Sequence, residues 1–179
     1  MKNVCVFLSA SDVDKKYIDA TKELAKLLAQ KKYGFVYGGS NRGLMKIMSS
    51  AVQQAGGTVI GVTMEILKES RKLDADEMII AKDLPERKRI LNEKSDAIIV
   101  LVGGIGTLDE VTELLELKKH GVHTKPIIFL NTDNFYEGLK IQLIKMDSEG
   151  FLPKKLEEMV IFVEKPNQVI EILDKTIGN

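Results

Sequence analysis

Glu110 follows a glycine-rich turn, Val102-Gly103-Gly104-Ile105-Gly106-Thr107, where the apolar run Ala97 to Val102 passes into an amphipathic segment. The N–H groups and dipole at a helix start attract anions, and glycine leaves those N–H groups bare. Asp109 and Glu110 sit just inside this helix, where the dipole favours an ionised carboxylate. The turn therefore offers an anion grip and a negative side chain side by side. The spacing Thr107-x-x-Glu110 also suits a capping box. That reading explains these two residues but not three glycines in four positions. The turn lacks the Gly-Lys-Ser/Thr of a P-loop and the Gly-x-Gly-x-x-Gly of a dinucleotide site, so nicotinamide chemistry is not indicated.

Two further stretches carry chemistry-bearing residues. Glu86-Arg87-Lys88-Arg89 follows Leu84-Pro85. Three cations early in a helix oppose its dipole by ~0.3–1 kcal/mol each when exposed. Either they are solvated, or one or two of them meet an anionic ligand. Tyr37-Gly38-Gly39-Ser40-Asn41-Arg42-Gly43 is a second glycine turn opening a helix, suited to a structural turn or to a phosphate or ribose contact. His120 and His123 flank Gly121 near a helix end, where a cation is favourable, so His120 reads as a cap. With no acidic or thiol partners at ligand spacing, no metal site is expected. Lys125 precedes a proline and has no surroundings that suit a Schiff base.

The elements that must place these residues alternate along the chain. Strands are expected at Val4 to Leu8, Phe35 to Tyr37, Val59 to Val62, Glu77 to Ala81, Ala97 to Val102, Pro126 to Leu130 and Val160 to Val163. Helices are expected at Val13 to Lys32 (capped by Ser11 or Asp12), Leu44 to Ala55, Pro85 to Lys94, Thr107 to His120, Phe135 to Ser148 and after Pro166. Met64 to Asp76 reads as irregular, covering an edge. Unbroken apolar strands separated by helices imply right-handed crossovers and a parallel sheet buried on both faces. The fold class is therefore α/β, a single doubly wound, Rossmann-like parallel sheet flanked by helices, with residues 1–179 as one domain. In such sheets ligands bind beyond the carboxyl ends of the strands, so all three chemistry-bearing helix starts are expected on one rim.

Bulk properties exclude several classes. At 44% apolar residues the chain is globular, and Lys+Arg and Asp+Glu balance at 26 each. A neutral chain has no global pull toward nucleic acid or anionic membranes. Cys5 is the one cysteine, so no intramolecular disulfide can form. MKNVCVFLSAS is similar to a short signal segment but reads better as a first buried strand, and no span approaches ~20 apolar residues. A cytoplasmic location is the default expectation.

Together these motifs resemble the LONELY GUY family of cytokinin riboside 5'-monophosphate phosphoribohydrolases, whose members often carry a lysine decarboxylase label. The family's Pro-Gly-Gly-x-Gly-Thr-x-x-Glu appears as Val102 to Glu110. Its Arg-Lys pair appears as Arg87-Lys88, its first glycine loop as Gly38 to Lys46, and its Gly-x-His-x-Lys-Pro as Gly121 to Pro126. The likeness spans about Val4 to Phe151. It implies hydrolysis of the N-glycosidic bond of a nucleoside 5'-monophosphate, giving free base and ribose 5-phosphate without a cofactor. By the same resemblance Arg87 and Glu110 are the catalytic pair. Glu69, Lys88, Gly103, Gly104, Ile105, Gly106, Thr107, Gly38, Gly39 and Ser40 then contact substrate. Relatives are homodimers, some assembling further. Leu114, Leu115 and Leu117 suit such an interface, though core packing is their more natural use. Val102, Ser40, Lys46 and Glu116 depart from the family pattern, which bears on the base and sugar environment more than on the reaction. The rival readings are a non-catalytic nucleotide-binding or carrier protein on the same fold, and a pyridoxal-phosphate decarboxylase, for which the chain is short.

Overall fold

A computed structural model describes residues 1–178. Among them, β1 (Asn3–Phe7), β2 (Gly34–Tyr37), β3 (Val59–Met64), β4 (Glu77–Ala81), β5 (Ala97–Val100), β6 (Ile127–Leu130) and β7 (Ile161–Val163) form one sheet. Its order is β4-β3-β2-β1-β5-β6-β7, and every neighbouring pair is parallel. Helices α1 (Lys15–Gln30), α2 (Gly43–Gln54) and α7 (Pro166–Thr176) cover one face. Helices α3 (Leu84–Glu93), α4 (Ile105–Lys119), α5 (Glu137–Ser148) and the short α6 (Leu156–Met159) cover the other. This is the expected doubly wound, Rossmann-like arrangement.

Strand alternation builds two cores. In β1, Val4 and Val6 pack with Leu24 and Leu28 of α1, Met48 of α2 and Leu173 of α7. Cys5 and Phe7 point the other way, toward Leu91 of α3 and Val111 and Leu114 of α4. Full burial of each such side chain stabilises by about 1.5–3 kcal/mol. Leu114 is thus a core residue, and Leu115 and Leu117 are partly buried against the same core. The order of the strands reverses between β1 and β5, and in open α/β sheets ligands bind beyond the carboxyl ends of the strands at such a point. Backbone pairing continues past the strands here, with Leu101 N–H donating to Phe7 O (2.9 Å) and Ser9 N–H donating to Val102 O (3.1 Å).

Several expected boundaries move. Helix α1 starts at Lys15 after Asp14, without a side-chain cap, and Ser11 N–H instead binds Ser9 Oγ at 3.0 Å. Strand β5 stops at Val100, because Leu101 and Val102 already lead into the glycine turn. The stretch expected to be irregular is organised. Met64 completes β3, and Glu65–Ser70 form a 3-10 helix. Asn41 N–H donates to Ser70 O (2.7 Å), Lys72 N–H donates to Gly39 O (2.9 Å), and Ser40 forms an antiparallel bridge with Arg71. The segment therefore braces the first glycine turn. Helix α5 begins at Glu137 rather than Phe135, preceded by a 3-10 helix at Thr132–Asn134 in which Asp133 and Asn134 are left-handed (φ 54° and 56°).

Candidate active site

The first functional side chain comes from α3. Its start is fixed locally: Asp83 accepts Glu86 N–H at 2.8 Å, Glu86 accepts Lys82 N–H at 2.7 Å, and Pro85 supplies a preset first turn. One turn in, Arg87 is directed under the carboxyl edge of the sheet and is only 7% exposed. Its Nε donates to Val62 O (3.0 Å), Nη2 donates to Gly38 O (3.4 Å), and Nη1 donates to Glu110 Oε1 (2.8 Å). One guanidinium therefore joins β3, the turn after β2, and α4. Gly38 is required by this approach, since a Cβ there would lie 2.3 Å from Arg87 Nη2.

The second comes from α4. The capping box does not form. The helix begins at Ile105 with Gly104 as its N-cap, so Thr107 and Glu110 are already inside it, and no side chain caps its first N–H groups. Thr107 is buried against Gly103, where an added Cβ would lie 2.1 Å from Thr107 Oγ1. Gly104 and Gly106 behave differently. Neither needs a positive φ, and a Cβ on either would meet nothing within 4 Å. Their missing side chains expose the helix start to the outside, and Ile105 between them is 81% exposed. Glu110 is buried beneath this surface with Arg87 as its partner. Burial pushes its carboxyl above the usual carboxylate range, and the Arg87 guanidinium offsets this only in part. Among the described residues Glu110 Oε2 receives no hydrogen bond, yet it is not sealed from solvent.

The remaining cations of the Arg87-Lys88-Arg89 run also find carboxylates within the chain. Lys88 Nζ lies 3.2 Å from Asp109 Oδ2 and contacts Glu113. Hydrogen bonding to Glu113, and then to Asp109, raises its pKa. Arg89 pairs with Glu93 on the exposed side of α3. The dipole cost expected from this run is thus offset by the chain's own acids. Glu113, and the pairing of Asp109 with Lys88, escaped the sequence reading, although the i, i+4 spacing of the two acids marks one face of a helix. Tyr136 escaped it too. Its hydroxyl donates to Leu101 O (2.7 Å) and holds the strand leading into the second turn, a contact that only the fold brings about.

The other candidates lie around this centre. Gly39 and Ser40 are held by Lys72 and Arg71 as described above. Glu69 is exposed on the 3-10 helix, where Asn41, Lys68, Glu69, Arg71 and Leu73 line a depression of about 450 Å³. It borders the first turn and has no hydrogen bond to Arg87 or Glu110 among the described residues. Lys125 sits at the opposite edge of the sheet, at the start of β6, where its ammonium caps α3 through Asn92 O and Asn92 Oδ1. His120 pairs with Glu116 (2.9 Å) at the end of α4, and His123 is buried against Leu114 O (3.0 Å). Among the described residues no three metal-ligating side chains converge, and no helix is long and apolar enough to cross a membrane.

Comparison with known proteins identifies the family. Residues 45–173 match the family model described as "Possible lysine decarboxylase". The cytokinin riboside 5'-monophosphate phosphoribohydrolase LOG5 of Arabidopsis thaliana is 38% identical over 169 residues, covering 93% of this chain and 73% of the relative. LOG2 of the same plant is 32% identical, covering 98% and 84%. Among solved structures, the molybdenum cofactor binding protein of Rippkaea orientalis superposes with a TM-score of 0.77 at 24% identity, covering 98% of this chain and 97% of that one; this likeness shows the fold alone. The family match, the two relatives and the Val102-to-Glu110 turn with its Arg87 partner agree: the chain belongs to the LONELY GUY family.

Proposed function

We propose that this protein hydrolyses the N-glycosidic bond of a nucleoside 5'-monophosphate, AMP or a cytokinin riboside 5'-monophosphate, to free base and ribose 5-phosphate. The observation that carries the reading is the buried Arg87–Glu110 pair directly beneath an uncapped helix start whose Gly104 and Gly106 face open space. The 5'-phosphate sits on the N–H groups of Gly104, Ile105, Gly106 and Thr107, where partial positive charge collects. Breaking the C1'–N bond leaves its electrons on the base and builds oxocarbenium character on the ribose. Glu110 faces that cation, stabilises it, and accepts a proton from the attacking water as its oxygen bonds to C1'. The departing base takes up a proton from solvent, and Glu110 returns its own to solvent. Arg87 fixes the Glu110 carboxylate. Gly38, Gly39, Ser40 and Glu69 border the sugar.

We further propose a cytoplasmic protein of one nucleotide-binding domain acting as a homodimer or higher homo-oligomer. Exposed Ile141, Ile144 and Phe151, on and just after α5, supply apolar surface for self-association. The direct test of activity is incubation with AMP and chromatography for adenine and ribose 5-phosphate. A second reading, a nucleotide carrier without hydrolysis, is favoured by the ion pair itself, since a carboxylate already bound to a guanidinium is a weaker base. AMP binding without adenine release would establish that reading.

A further inference from the structure

The ion cluster beside the Arg87–Glu110 pair has a geometry of its own. Lys88 is 13% exposed, and its ammonium faces back onto α4, between Asp109 and Glu113. Arg87 and Lys88 are adjacent in sequence, and Asp109 and Glu110 are too. Two parallel pairings therefore zip α3 to α4, one buried and one at its edge. The groups facing Glu110 can be enumerated by element. Helix α3 contributes Arg87 and Lys88, and α4 contributes Asp109 with Glu113 one turn on. Strand β1 contributes the buried Cys5 thiol, which burial keeps protonated. The turn after β2 and strand β3 contribute only the carbonyls of Gly38 and Val62, both spent on Arg87.

We propose that Lys88 is a positioning residue for Glu110: held between Asp109 and Glu113, its ammonium offsets part of their negative charge on α4 and favours the ionised form of the neighbouring Glu110 carboxylate. This rests on the hydrolase reading only in giving that carboxylate a task. Lys88 is committed to α4, which leaves the phosphate to the backbone of the glycine turn. Without Lys88, Asp109 and Glu113 repel a charge on Glu110 and favour its protonated form.

The test has two arms. In the first, protein labelled with 13C at Glu carboxyls is titrated by NMR, with Glu110→Gln identifying the resonance. Lys88→Met should move the Glu110 midpoint upward, and Lys88→Met combined with Asp109→Asn should bring it back. Glu113→Gln, with Lys88 intact, should not move it upward. An unmoved midpoint in Lys88→Met overturns the proposal whatever the protein's activity. In the second arm, AMP hydrolysis is followed against pH. Lys88→Met should lose about fivefold more kcat on the acid side than on the alkaline plateau, with KM unchanged. A KM raised equally at all pH values, with no change in the acid limb, would make Lys88 a phosphate ligand and overturn the proposal. A shifted midpoint in a protein that releases no adenine would support the positioning role and refute the hydrolase reading alone.

Discussion

Glu110→Gln separates chemistry from architecture because it keeps the shape of the side chain and removes its charge. Removing one partner of a buried ion pair costs about 3–5 kcal/mol when the other charge is left without contacts. Here Arg87 keeps two other acceptors, the carbonyls of Val62 and Gly38. The Gln amide oxygen can take the place of Oε1, so a net cost of about 1–3 kcal/mol is expected. For a chain of this length that lowers Tm by about 2–4 °C per kcal/mol, so the variant remains folded at 25 °C. The proposed phosphate site lies on backbone N–H groups that the substitution does not touch, so AMP affinity should stay within about threefold of the parent. Turnover loses both the charge facing the ribosyl cation and the proton acceptor, and should fall by about 10²–10⁴-fold. The assays are scanning fluorimetry, calorimetric AMP titration, and chromatographic detection of adenine. A folded variant that binds AMP and releases adenine at the parent rate would refute the role assigned to Glu110.

Other expectations follow from the same contacts. Arg87→Ala strands a buried carboxylate and breaks three hydrogen bonds, so it should cost about 3–5 kcal/mol and abolish turnover; unchanged thermal stability would contradict the brace. Gly106→Ala meets nothing inside the chain and lies in a helix, so it should raise stability by about 0.5–1 kcal/mol while weakening AMP binding, whereas Gly103→Ala should destabilise through Thr107; equal effects of the two on KM and Tm would remove the distinction. Because burial holds Glu110 above its ordinary range, the acid limb of the rate profile should lie above that of a free glutamate. For the same reason the parent's stability relative to Glu110→Gln should fall as pH rises through the Glu110 midpoint, since ionisation is easier in the unfolded chain; a rise would reverse the sign of the argument. Tyr136→Phe strips the bond to Leu101 O and should cost about 1 kcal/mol by denaturant melts, with m unchanged.

The alternation of apolar runs and amphipathic helices made the sheet legible, because a strand buried on both faces can only read as Ala-Ile-Ile-Val or Ile-Ile-Phe-Leu. The rim was legible because crossovers return every helix start to the same edge. The pairing of Arg87 with Glu110 came from resemblance; no spacing rule links residues 23 positions apart. The capping box that the Thr107-x-x-Glu110 spacing also suits does not form. Glycine at Gly104 let the helix begin two residues early, and tertiary contact with Arg87 outweighed the local bond. The ordering of the segment from Glu65 to Lys72 was hidden because the bonds that brace it, from Asn41 N–H to Ser70 O and from Lys72 N–H to Gly39 O, join it to a turn distant in sequence. The partners of Lys88 were visible as a pattern on α4, but their direction depended on how α3 and α4 pack.

Two of the three acceptors that hold Arg87 are main-chain oxygens, and mutation of neighbouring side chains cannot delete them. Sequence change around the rim, at Ser40 or Lys46, can therefore alter the surroundings of this guanidinium without unseating it. On the proposed hydrolase reading, a lineage built this way is free to explore new bases and sugars while keeping the same cation at its centre.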